Sequence, residues 1–329
     1  MADSKLTALS ALSVPALEDL AYIVDDPSGT PTSYKSTHAR LGGLYVPGIC
    51  DGRLTLDSGN PVTATDITGA TTIYWAGYKG NRVGLYDGTR WDLYEIGSAK
   101  SFALGTLTSG ALYDLFVYNN AGTLTLERSN AWSDQHTRAD TLTLQNNVLV
   151  KSGATTRRYL GTFYTTSTTT TEDSGGGTTT QVGGKRYLYN YYNRVARSMA
   201  VFDSTASWTY TTNSWRQANA ASGNKVGFVL GILEDGVTAV LQAGFQGSGG
   251  AYAAVGIGVD ATSTIHGAGG IALGTLYNTF AAQWNGFPSA SGLTELFWNE
   301  NGLGSAAGLT FVGAASGVQT SRLMATVFA

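Results

Sequence analysis

Arg82-Val83-Gly84-Leu85-Tyr86-Asp87-Gly88-Thr89-Arg90-Trp91-Asp92-Leu93-Tyr94 is the stretch that decides the fold class. Apolar and polar residues alternate on both sides of Asp87-Gly88, which is the period of a pleated strand. Asp-Gly between two such runs is a strong short-range hairpin signal. Working outward, Gly52 to Gly59 alternates between glycines, and Thr71 to Trp75 is β-branched and aromatic. Tyr113 to Tyr118, Thr123 to Glu127, Thr141 to Leu144, Val148 to Val150 and Tyr159 to Tyr164 extend the series, with turns at Asn119 to Gly122 and at Asn146-Asn147. Residues 44–165 therefore read as a central β domain, a barrel or a sandwich. Ala131 to Thr141 is a candidate short helix within it.

Three further blocks surround this one. Residues 1–43 read as a small module, with Leu6, Leu9, Leu12 and Leu17 spaced as an apolar strip. It continues with a strand over Ala21–Asp26, a turn at Pro27–Pro31, a return strand from Thr32, and a last helical turn from Thr37 to Leu41. So short a segment buries little core alone, which implies a partner or further copies of the chain. Residues 166–184 are rich in Thr and Gly without apolar period, and read as a loop or linker. Residues 185–329 form a C-terminal β domain, a sandwich, with strands expected at Ser207–Thr211, Lys225–Leu233, Gly236–Ala243, Tyr252–Val259, Leu293–Asn299 and Thr320–Phe328. Glu234-Asp235-Gly236 is expected to close a hairpin, and Gly-rich stretches at 244–250, 267–270 and 300–308 to be loops. The small residues of 251–258 suggest tight backbone packing.

Composition agrees with a mainly β chain. Of 329 residues 43 are Gly and 43 Thr, and charged residues make up 13%, against a usual ~25%. Both commonest residues disfavour helix. The net charge of −3 argues against a nucleic-acid partner, which needs a basic face. No apolar run reaches the length of a membrane span, so no membrane insertion is expected. No secretory signal is evident, and the single Cys50 excludes an internal disulfide; synthesis in a reducing cytoplasm follows.

Catalytic patterns are missing. His38, His136 and His266 are scattered, GxSxG is absent, and Gln246 to Gly250 lacks the Lys of a phosphate loop. His136 with Asp140, and the acid pairs Asp25-Asp26 and Glu172-Asp173, read as surface groups rather than a catalytic pair or Ca²⁺ ligands. No catalytic residue, cofactor or metal is expected, and Cys50 reads as a small buried hydrophobe. The aromatic–basic run 185–197, with Lys185, Arg186, Arg194 and Arg197, reads as packing rather than a base-stacking surface.

One resemblance adds to this reading. Lys5-Leu6-Thr7-Ala8-Leu9, Asp19-Leu20-Ala21-Tyr22-Ile23-Val24-Asp25-Asp26-Pro27-Ser28-Gly29-Thr30 and Tyr34-Lys35-Ser36-Thr37 resemble the attachment segment at the front of tailed-bacteriophage virion proteins. Cys50 to Val62, Tyr78 to Gly88, Thr156 to Tyr164 and Asn190 to Val195 extend the similarity to a phage structural, fibre-like family over residues 5–215. The resemblance implies a virion location, a homotrimer, and an N-terminal anchor carried by Leu6, Leu9, Leu12, Leu17, Tyr22 and Ile23. It implies contacts with other virion proteins of tail, neck or capsid.

The expected function is a non-enzymatic short fibre or appendage. A capsid decoration protein without a receptor, and a tailspike-like glycan depolymerase using acids such as Glu234, Asp235, Glu295 and Glu300, are the alternatives. Host-surface glycan recognition, where present, is expected at Tyr252, Trp284, Phe287 and Trp298, because aromatic faces stack on sugars; the competing reading makes these rings core or trimer contacts, since large aromatics are mostly buried.

Overall fold

A computed structural model describes residues 20–25, 32–37, 47–177, 181–247, 250–273, 277–305, 309–313 and 321–329. The chain is mainly β. Among the described residues there is no α-helix, only a 3₁₀ turn at Ala218–Ala220.

Strands β1 (Leu20–Asp25) and β2 (Thr32–Thr37) pair antiparallel, Ile23 opposite Tyr34, as the N-terminal pattern predicts. Leu6, Leu9, Leu12, Leu17, the turn at 27–31 and the helical turn at 38–41 lie outside the described residues.

The next block opens with β3 (Gly52–Thr55), β4 (Ile67–Ala70), β5 (Thr72–Gly77), β6 (Arg82–Tyr86), β7 (Trp91–Glu95) and β8 (Lys100–Ala103). Strands β3, β5 and β8 form one small sheet, and β6 and β7 the expected hairpin, Tyr86 opposite Trp91. Its turn spans four residues: the Asp87 carboxylate accepts from the Thr89 and Arg90 amides, and Gly88 takes a φ of 107°. Then come β9 (Leu112–Asn120), β10 (Thr123–Arg128), β11 (Leu142–Gln145), β12 (Val148–Lys151) and β13 (Ala154–Tyr164), in the spatial order β10-β9-β13-β12-β11. Asn146 and Asn147 both have positive φ, 50° and 65°, as a two-residue hairpin turn between right-twisted strands demands.

Ala131–Thr141 is not a helix. It runs as an irregular loop because its polar side chains hold one another: Asp134 accepts from the His136 and Thr137 amides, and Asp140 from the Asn130 amide. Burial works against ionisation of Asp140, yet the Asn130 amide and Lys151 hold its carboxyl below the ordinary value. A depressed carboxyl contributes stability above its unfolded pKa, about 3.9, and loses it as pH falls through the folded value. Amide protection factors in residues 130–141, corrected for the intrinsic exchange rate at each pH, are therefore expected to fall on acidification from pH 5 to pH 2 ahead of those in β9 and β13. A uniform fall across all three segments would contradict this.

The stretch 166–184 is not a free linker. It contributes β14 (Thr171–Gly176) and begins β15 (Gly183–Arg186). Of its acids, Glu172 is buried and Asp173 half-buried, and both are partnered. Glu172 binds Lys185 at 3.0 Å, while Asp173 binds Arg186 at 2.8 Å and Arg197 at 2.9 Å. Strand β16 (Leu188–Asn190) then pairs with β13, and β14 pairs back to β4. The central and C-terminal blocks thus exchange strands instead of being separated by a tether. Where β16 crosses β13 only glycine fits: a Cβ on Gly161 would lie 2.0 Å from the Tyr189 carbonyl oxygen.

The C-terminal block adds β17 (Ala196–Phe202), β18 (Ser207–Trp208), β19 (Arg216–Gln217), β20 (Lys225–Leu230), β21 (Val237–Gln246) and β22 (Ala251–Val259). It ends with β23 (Gly267–Leu273), β24 (Tyr277–Gly286), β25 (Gly292–Asn301), β26 (Thr310–Val312) and β27 (Arg322–Phe328). One sheet has the order β23-β22-β25-β20-β15-β14-β4, with β19 on β25; the other has β17-β27-β21-β26-β18, with β24 on β21. Glu234-Asp235-Gly236 does not close a hairpin: β20 and β21 lie in different sheets, and both acids turn back to grip Arg194. The expected loop at 267–270 is strand β23, since a glycine-rich strand can lie where backbones approach closely.

Two apolar cores result. The smaller gathers Leu54, Ile73, Trp75, Val83, Leu115 and Phe163 and reaches Leu188. The larger gathers Phe228, Leu241, Val255, Leu296, Trp298 and Leu323 from the two C-terminal sheets and takes in Leu112 and Trp132 from the central block. Each block thus sends residues into the other's core.

Candidate functional site

The aromatics expected to recognise sugar separate in the structure. Tyr252 on β22 and Phe287 after β24 are exposed, 52% and 56%. Trp284 on β24 is half-buried and packs on the larger core. Trp298 on β25 is fully buried, its ring edge-on to Trp208 at 6.0 Å, so it offers no face to a ligand. Of the N-terminal anchor set, Tyr22 and Ile23 lie in β1 opposite Lys35 and Tyr34.

Other candidates resolve into structural groups. His136 hydrogen-bonds the Ser291 carbonyl at 3.1 Å, and Asp140 ion-pairs with Lys151 at 3.2 Å; the two face different partners. Cys50 is buried, and burial pushes its thiol up to about 11, far from a reactive thiolate. Lys185, Arg186, Arg194 and Arg197 each meet a carboxylate, and Tyr187 and Tyr189 are buried, so the aromatic–basic run is packing. The acids available to a glycan hydrolase are engaged as well. Glu234 and Asp235 bind Arg194, Glu295 binds Lys225, and buried Glu300 binds Arg216 and the Trp208 indole N–H. Among the described residues no group of three or more His, Cys, Asp or Glu side chains is placed to hold a metal ion. Among them no helix is long and apolar enough to cross a membrane.

The geometry instead opens a cleft of about 250 Å³ beside the β6–β7 hairpin. Tyr86 and Asp87 enter from the end of β6, Tyr94 from β7, Asn119 from the end of β9, and Thr156 and Arg157 from β13. The Asn119 amide donates to the Tyr94 hydroxyl at 3.1 Å, which fixes that ring. Burial, followed by the charge of Asp92, raises the Tyr94 phenol above its ordinary value, so it stays protonated. The Tyr86 ring leans on Trp91 at 5.7 Å. The Arg157 guanidinium lies 4.1 Å above the Tyr118 ring and donates to Glu127 and Thr156. Two phenols, an amide, a hydroxyl and a guanidinium around one open cleft can stack on a sugar face and bond its hydroxyls.

The sequence carried a partial signal for this cleft. Tyr86 and Tyr94 flank the Asp-Gly turn that marks the hairpin. Asn119 and Arg157 are distant in sequence and come together only because β9 pairs with β13.

No family model matches the chain, and no curated protein matches it. Solved structures that match include the functional form of the mosquito-larvicidal Cry4Aa toxin from Bacillus thuringiensis, at 10% identity and a TM-score of 0.19. That match covers 84% of this chain and 57% of the toxin chain, so this chain spans little more than half the toxin's length. A likeness this weak shows no shared fold and carries no argument about function.

Proposed function

We propose that this chain is a non-enzymatic structural protein of a tailed-bacteriophage virion. It acts as a short homotrimeric fibre or appendage of tail, neck or head, held by its N-terminal segment and contacting host-surface glycan with its β-rich body. The N-terminal pattern over residues 5–41 carries the reading, set in front of a body whose acids are largely spent on its own cations. Trimerisation gives the apolar strip Leu6, Leu9, Leu12 and Leu17 a place to be buried, each leucine contributing on the order of 1.5–3 kcal/mol when fully covered.

Mass spectrometry of purified particles should detect the chain, and light scattering should give three times its 34.4 kDa. Deleting residues 1–41 should abolish incorporation into particles while the remaining chain keeps its β-type circular dichroism. Absence from mature particles, or a monomeric full-length protein, would count against the reading.

The cleft at Tyr86 and Tyr94 is the recognition surface that the geometry favours within this proposal, ahead of Tyr252 and Phe287. Replacing Tyr86 and Tyr94 together with alanine should weaken binding to host polysaccharide about tenfold or more, each lost stacking contact exceeding about 1 kcal/mol. Full binding by that double variant, with loss in a Tyr252→Ala/Phe287→Ala variant, would move recognition to the C-terminal block.

A further inference from the structure

Between the central and C-terminal blocks lies a small, partly open space lined by Arg53 of β3, Thr63, Asp173 of β14 and Arg197 of β17. The centre of a water-sized particle has about 10 Å³ in which to sit, so the space admits one water molecule or one monatomic ion. Both arginines are buried, 4% and 8% exposed.

Their hydrogen bonds are incompletely balanced. Arg53 donates through Nε to the Pro61 carbonyl at 3.0 Å and through Nη1 to the Asn193 carbonyl at 2.8 Å; it makes no ion pair among the described residues. Arg197 donates through Nη1 to the Thr63 carbonyl and through Nη2 to Asp173, but its buried Nε has no partner. Asp173 is already divided between Arg186 and Arg197. The nearby Asp66 is exposed and accepts from the Gly175 amide. Three guanidinium groups therefore face two carboxylates, leaving one positive charge in excess.

We propose that this space binds a single monatomic anion, chloride under cellular conditions, which accepts from Arg197 Nε and neutralises Arg53 against Arg197. A water molecule would satisfy the N–H but leave the charge, and buried charge without a counter-charge is costly. A cation is repelled by the same pair, and a polyatomic oxyanion exceeds the space. Burial and the facing Arg197 already push the Arg53 guanidinium down to about 10, the direction that an unneutralised site imposes. The anion would join β3 to β17 and so couple the central and C-terminal cores.

The test uses the full-length protein with bromide, chloride and gluconate at constant ionic strength. Crystals grown in sodium bromide should show an anomalous peak within hydrogen-bonding distance of Arg197 Nε. Thermal and urea unfolding should show a folding constant that rises up to tenfold per tenfold increase in chloride, above that of gluconate. The Arg197→Met variant should lose this dependence. Should that variant fail to fold, the bromide crystal of the unaltered protein still decides. An ordered water in place of the bromide peak overturns the proposal, as does unfolding that is the same in chloride and gluconate.

Discussion

Replacing Asp114 with alanine is expected to destabilise the protein by about 3–5 kcal/mol, the cost of leaving a buried partner charge uncompensated. Asp114 lies on β9 with no solvent exposure. Its carboxylate accepts from Arg138 Nε at 2.8 Å and from the Thr162 hydroxyl at 2.6 Å. Arg138 also donates to the Gly231 carbonyl and lies 4.3 Å above the Trp132 ring. The pair thus ties the 131–141 loop both to the central sheet and to the segment following β20. Burial raises the Asp114 carboxyl, and Arg138 is the main group opposing it. Without the carboxylate, Arg138 remains among apolar rings with no counter-charge. The double variant Asp114→Ala/Arg138→Met should recover much of the loss, because removing both charges removes the penalty. Urea midpoints of the three proteins measure this; a single variant as stable as the unaltered chain would show that the pair is dispensable.

Replacing Trp298 with alanine is expected to cost about 3–5 kcal/mol, as for other large-to-small changes at buried tryptophan or phenylalanine. Its ring belongs to a chain of aromatics in the larger core: Trp298 on Trp208 at 6.0 Å, Trp208 stacked on Phe311 at 5.9 Å, and Phe311 edge-on to Phe245 at 5.1 Å. Trp208 lies on β18, Phe311 on β26 and Phe245 on β21, so one deletion loosens three strands of the facing sheet. The exposed Phe287→Ala variant should change stability by no more than about 0.5 kcal/mol. The contrast tests whether Trp298 is a core residue. Equal urea midpoints for the two variants would place Trp298 back among surface residues.

The mainly β class was legible because its evidence is local. Period-two alternation in 82–94 and the turn chemistry of Asp87-Gly88 and Asn146-Asn147 act within a few residues, and each produced its hairpin where expected. The strands at 112–120, 123–128 and 322–328 were similarly marked by β-branched and aromatic residues. The inertness of Cys50 followed from its type and was met by its burial.

What the sequence determined by itself was therefore where most strands begin and turn; which sheet each strand joins was decided only by the tertiary structure. Strands β20 and β21 read as a hairpin because only six residues separate β20's end from β21's start, yet each pairs with strands far along the chain. The polar stretch 166–184 read as a linker because nothing local compensates buried Glu172 and half-buried Asp173. The compensating cations Lys185, Arg186 and Arg197 arrive from later strands. Trp298 was open to both a surface and a core reading because burial depends on what covers a residue, and its cover comes from another sheet. The cleft at Tyr86 and Tyr94, and the arginine-lined space at the seam, are likewise made by segments that meet only through long-range strand pairing. Such pairing is governed by cores and charges assembled from the whole chain, and no window of sequence contains them.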